Sequence, residues 1–172
     1  MNFDPNAAPE TPDLDLLPEG DTTLVVLAAE ETVSAAGNDM IRLTLGHYGK
    51  PCETFRDFLV GTEAALWKVR QFAAAAGLLD EFNSGKLTDA DCIGRLVRAR
   101  IMHETDPGYP PQAKVAKYLQ SDSDLGVLDS DRLAAACRAH GLGAPAAAKV
   151  EAAPANPHAH PDYDAAADNI PF

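Results

Sequence analysis

Aromatic side chains are scarce in this chain: Phe, Tyr and Trp make up 6% of 172 residues, and there is one Trp. With alanine abundant, the core is expected to be small. Cysteine is also sparse. Cys52, Cys92 and Cys137 are odd in number, far apart and in no CxxC spacing. Neither a disulfide framework nor a cysteine zinc site is indicated, and a reduced, intracellular setting fits. No apolar run reaches the ~20 residues of a membrane-spanning helix, and the acidic N-terminus lacks the basic and apolar pattern of a signal peptide. A cytoplasmic protein with no membrane partner is expected. Catalytic signatures are missing as well. There is no phosphate-cradling glycine loop and no nucleophile motif. His47, His103, His140, His158 and His160 are scattered, the last two in an Ala/Pro-rich stretch. Neither an enzyme nor a metal or other cofactor is expected.

Positive charge is short overall but not everywhere. The net charge is −12. Residues 1–19 hold five acids and no Lys or Arg, residues 20–120 hold 13 acids and 11 bases, and residues 121–172 hold eight acids and three bases. The acid is concentrated in the flanks around a nearly balanced centre. A low isoelectric point is therefore a weak argument against an anionic ligand.

The centre carries the folding pattern. Gly61–Leu79 reads as a helix, with Thr62 as N-cap and Gly77 as its left-handed stop. Leu66, Val69, Phe72, Ala73 and Ala76 recur at helical spacing on one face, and Trp67 at its edge is expected to pack the helix on its neighbours. Three strand-like runs precede it. Thr22–Glu30 is β-branched at its start, and Met40–Leu45 places Ile41, Leu43 and Leu45 on one side. Cys52–Val60 has Phe55, Asp57 and Leu59 on one face and Thr54, Arg56 and Phe58 on the other. Neither face is purely apolar, so a bulge or an early end is expected. Two more follow the helix. Ile93–Met102 alternates Val97, Ala99 and Ile101 with Leu96, Arg98 and Arg100. Ala113–Leu119 places Lys114 and Tyr118 on one face, with Lys117 awkwardly on the other. Three strands, a helix and two strands is the order of an OB-fold, a small barrel plugged by its helix. The predicted class is thus all-β with helices, a five-stranded OB-fold barrel.

The expected organisation is a disordered N-terminal arm over 1–18, the barrel over 19–120, an acidic loop and accessory helix over 121–142, and a disordered acidic tail over 143–172. Ser130 is the predicted cap of the accessory helix, which runs over Asp131–His140. The tail has too little apolar surface to fold, and its reach is about 30 Å on the flexible-coil relation.

Two constellations carry chemistry. Single nucleic-acid strands are held by cationic grooves with aromatic platforms, because each linkage is a phosphate and each base has a π-face. The candidate cations are Arg42, Arg56, Arg98, Arg100, Lys114 and Lys117; the candidate stacking rings are Tyr48, Phe58, Tyr109 and Tyr118. The second constellation is the end of the chain, Asp168-Asn169-Ile170-Pro171-Phe172. Phe172 offers a rigid ring and a free carboxylate together, and Pro171 limits the conformations lost on binding. Asp162, Asp164 and Asp168 would steer it to a basic surface.

That terminal sequence resembles the Asp-Asp-Asp-Ile-Pro-Phe tip of bacterial single-stranded DNA-binding proteins, with Asn169 where that family usually has Asp. In the family, the tip recruits replication, recombination and repair proteins. The middle of the chain, Leu17–Leu119, is similar to phage-encoded relatives of those proteins. The likeness rests on LPEGDTTLVVLAAEETVSAAGNDMIRLTL, FLVGTEAALWKVRQFAAAAGL and AKVAKYL. Residues Asp122–His140 have no counterpart there. The resemblance implies an OB-fold, a phage source, and binding of single-stranded DNA with little sequence preference. A single barrel binds a strand weakly, so a homodimer or higher oligomer is expected. The competing expectation is a protein-interaction adaptor that keeps the recruiting tip but binds no DNA.

Overall fold

The computed structural model describes residues 15–121 and 124–143. The elements run β1 (Gly20–Val33), β2 (Asp39–His47), β3 (Phe55–Val60), α1 (Leu66–Ala76), α2 (Leu79–Asn83), α3 (Asp89–Cys92), β4 (Leu96–Glu104), β5 (Gln112–Leu119) and α4 (Ser130–Ala139). The strands form one antiparallel sheet in the order β3-β2-β1-β4-β5. Its outer strands β3 and β5 come back together, so the sheet curls into a nearly closed, OB-like barrel.

β1 makes this curl possible. Its first half pairs with β4 from Gly20↔Ile101 to Val25↔Leu96, and it pairs with β2 from Leu24↔His47 to Val33↔Asp39. A bulge at Leu27 breaks the β2 register between Val26 and Ala28. Such a bulge bends and twists a strand, which lets one long strand serve both halves of a barrel. It also explains why Leu24, Val25, Val26 and Leu27 are all buried where simple alternation would expose two of them. β2 alternates as its sequence predicts, with Ile41, Leu43 and Leu45 inside. β3 starts at Phe55 rather than Cys52 and pairs regularly with β2, so its mixed face does not come from a bulge.

The mixed face of β3 has another cause. Asp57 points inward and is 4% exposed. The Tyr118 hydroxyl donates to its Oδ2 at 2.5 Å, and the Lys68 ammonium lies 2.5 Å from its Oδ1. The barrel seam is therefore bridged by side chains from β3, β5 and α1. Tyr118 also meets Phe72 edge to face at 5.2 Å. Burial first, and then the charge of Asp57, push the Tyr118 phenol well above its ordinary value, so it remains a donor.

α1 packs against β3, β4 and β5. Val69, Phe72, Ala73, Ala75 and Ala76 are buried, and Gly77 ends the helix in the left-handed region. Its start differs from expectation. The helix proper begins at Leu66 without a side-chain cap, while the Thr62 carbonyl, not its hydroxyl, accepts from the Ala65 and Leu66 N–H groups. Trp67 does not pack the helix to the barrel; it is 57% exposed. At about 100° per residue it stands some 200° from Val69, on the far side of the helix.

Leu17 is buried in the core and the Asp15 carbonyl accepts from Glu53 N–H, so the last residues of the expected N-terminal arm belong to the fold. α4 packs on the barrel through Leu133 and Cys137. Its cap is Asp129, whose carboxylate accepts from Arg132 N–H, in place of Ser130. No helix among the described residues is long and apolar enough to cross a membrane.

Candidate nucleic-acid interface

The strand-borne candidates stand on the outer barrel surface, with one exception. Tyr118 is 2% exposed and turned to the core, so it is not a stacking ring. A second bulge is responsible. Arg100 pairs with Lys117 and Ile101 with Val115, leaving Ala116 unpaired in β5. The extra residue reverses the alternation, so Lys117 turns outward and Tyr118 inward. The same bulge removes the awkwardness of Lys117, which joins Lys114 on the solvent side.

The remaining nine candidates fall into separate groups. Along the β3–β5 seam runs a groove of about 760 Å³ lined by Arg56, Phe58, Lys68 and Lys114 together with Thr44, Pro110 and Pro111. Arg42 stands directly across from Phe58 in the β2–β3 register. Phe58 is 40% exposed, a ring held rigidly on a strand beside two cations. Lys68 is the groove residue that sequence alone did not flag. Its spacing on α1 marks only a polar position, and its place at the seam comes from the buried Asp57.

The second group lies on β4 and β5. Arg100 is opposite Lys117, and Arg98 is opposite Leu119 on one side and Thr23 on the other. The two aromatic residues on loops lie elsewhere. Tyr109 is 72% exposed in the β4–β5 loop, beside a small cavity with Glu104 and Asp106. Tyr48 stands in the β2–β3 loop next to α4.

Electrostatics separate the cations further. Arg100 donates from Nε to Asp21 Oδ1 at 2.6 Å and from its terminal nitrogen to Oδ2 at 3.0 Å. Those bonds hold the Asp21 carboxyl below its ordinary value. Lys114 lies 2.7 Å from Glu104, and that contact raises the ammonium above its ordinary value. Arg42 pairs with Glu30. Arg56, Arg98 and Lys117 have no ion-pair partner among the described residues. Exposed pairs of this kind are weak, so a phosphate can replace the carboxylate, but each exchange gains less than capture by a free cation.

No family model and no curated protein matches the chain. The terminal residues Asp168, Asn169, Ile170, Pro171 and Phe172 lie outside the described residues, as do Asp162, Asp164, His158 and His160.

Proposed function

We propose that this protein is an OB-fold single-stranded DNA-binding protein of phage type. It coats single strands with little sequence preference and recruits replication, recombination or repair proteins through its terminal Asp-Asn-Ile-Pro-Phe. The observation that carries the reading is the seam groove, which the exposed Phe58 ring lines together with Arg56 and Lys114 on an OB-like barrel. A ring with adjacent cations takes a base and its phosphates without reading sequence. Arg98 and Lys117, which form no ion pair among the described residues, would extend the contact to the β4–β5 face. The test is oligo-dT binding by the Arg56→Glu and Phe58→Ala variants. Loss of the stacked base should cost about 1–3 kcal/mol. Wild-type affinity in both variants would refute the groove as the binding site.

One observation favours the adaptor reading. Arg42, Arg100 and Lys114 already hold Glu30, Asp21 and Glu104, so half of the six candidate cations are neutralised in the free protein. A protein that presents its terminal segment to a partner without binding a strand would carry such a balanced surface. Capture of the partner by the full chain with no strand binding at low salt would establish it.

A further inference from the structure

Between the β2–β3 loop and α4 lies a cavity of about 350 Å³ that shares no residue with the seam groove. Among the described residues its ionisable lining is Lys50, Arg132, His47, His140 and the Tyr48 phenol, with no carboxylate. The contrast with other concave surfaces is sharp. The seam groove contains Glu53, Asp57 and Glu104, and the cavity between the β1–β2 hairpin and α1 contains Glu31 and Asp39. In a chain of net charge −12, a cavity whose charged lining among the described residues is Lys50 and Arg132 favours anions.

Burial, and then the nearby His140 and Lys50, depress the His47 imidazole below its ordinary value. Lys50 has no ion-pair partner among the described residues. Arg132 has only a solvated contact with Asp129 at 3.9 Å. The non-ionic lining points to the rest of the ligand. Tyr48 is partly exposed, and Ala135, Ala136 and Ala139 give α4 a low apolar wall that leaves room for a flat group. The site is also built before any ligand arrives. The His140 ring is buried, with Nδ1 3.0 Å from the Cys52 carbonyl oxygen and Nε2 3.1 Å from that of His47, which fixes both ends of the loop to α4. Gly46 permits this approach, since a Cβ there would lie 2.9 Å from the ring.

We propose that this cavity binds one nucleotide, its phosphate held by Lys50 and Arg132 and its base set between Tyr48 and the alanine wall of α4. The volume falls at the small end of ligand pockets, roughly 300–1,000 Å³. The nucleotide is either free or the terminal unit of a strand, and the two share this chemistry.

Calorimetric titration of the full chain with dTMP, thymidine and inorganic phosphate tests the proposal. Saturable dTMP binding is expected, with thymidine and phosphate each weaker by roughly tenfold or more, the loss of one charge-assisted or stacking contact. The double variant Lys50→Glu/Arg132→Glu, both surface positions, should lose dTMP by a similar factor. Arg70→Glu, an exposed position on α1 that lines neither this cavity nor the seam groove, should stay within about twofold. No saturable dTMP binding, equal binding of phosphate alone, or an unchanged double variant would each overturn the proposal. A gain for 5′-phosphorylated over 5′-hydroxyl oligo-dT that the double variant removes assigns the nucleotide to a strand end. Binding of dTMP without that gain assigns it to the free nucleotide. Failure of oligo-dT binding with dTMP binding intact overturns the strand-coating reading and leaves this site standing.

Discussion

Replacing Tyr118 with Phe removes one oxygen from the seam and leaves its packing intact. The ring still meets Phe72, so the change isolates the 2.5 Å bond to Asp57. A hydrogen bond to a charged group contributes about 1.5–3 kcal/mol, and a buried acceptor left short of a donor pushes the cost toward the upper end. Lys68 still contacts the other carboxylate oxygen, which keeps the loss below that of an isolated buried charge. We therefore expect a loss of about 2 kcal/mol, or roughly 4–10 °C in Tm for a domain of this size. Urea denaturation followed by circular dichroism gives the free energy directly. Lys68→Met and the double variant complete a cycle, and coupling of about 0.5 kcal/mol or more is expected because both groups hold one carboxylate. A Tyr118→Phe protein within about 0.5 kcal/mol of wild type would refute the seam argument, since that is the range of an uninvolved surface position.

Gly46→Ala should cost about 1–3 kcal/mol by overpacking, because the new Cβ would lie 2.8 Å from Leu27 Cδ1 and 2.9 Å from the His140 ring; denaturation midpoints measure it, and a neutral variant would contradict the packing of α4. His140 at the end of α4 and His47 at the end of β2 should give opposite pH dependences. His140 is raised, chiefly by the Cys52 side chain, so its stabilisation is complete below its ordinary value of 6.5 and fades as pH rises through the raised native value. His47 is lowered, chiefly by burial, so it destabilises the fold as pH falls below 6.5. Comparing Tm against pH for His140→Gln and His47→Gln separates them, and parallel curves would refute the assignment. Under the proposed function, Phe172→Ala should abolish partner capture in a pull-down yet leave oligo-dT affinity unchanged; loss of both would mean that the two tasks are not divided.

Much of the barrel was legible because its inner faces obey simple periods. Ile41, Leu43 and Leu45 alternate without interruption, as do Val97, Ala99 and Ile101, and Gly77 marks the helix end where a left-handed residue is needed. Errors arose where a single residue changes the phase. The bulges at Leu27 and Ala116 leave no composition signal, yet the second alone moves Tyr118 from the surface to the core. Asp57 looked like a defect in a strand, and only the return of β5 and the reach of Lys68 make it the seam's anchor. The cations were easy to find, but their partners were not. Asp21 and Arg100 are 79 residues apart, and nothing local announces that they neutralise each other. The cavity at α4 was out of reach for the same reason, since Lys50 and Arg132 are 82 residues apart in sequence and come to line one cavity where His140 ties the helix to the loop.

The most direct test of strand binding is fluorescence anisotropy of a labelled oligo-dT with the full chain at two salt concentrations, beside a duplex control. Binding to the single strand alone is expected, weakening with salt at a slope of about −0.7 per neutralised phosphate. With Arg56, Arg98 and Lys117 free and three other cations partly engaged, that slope should lie at roughly −2 to −4. Absence of binding at low salt, or equal binding to the duplex, would contradict the strand-binding reading.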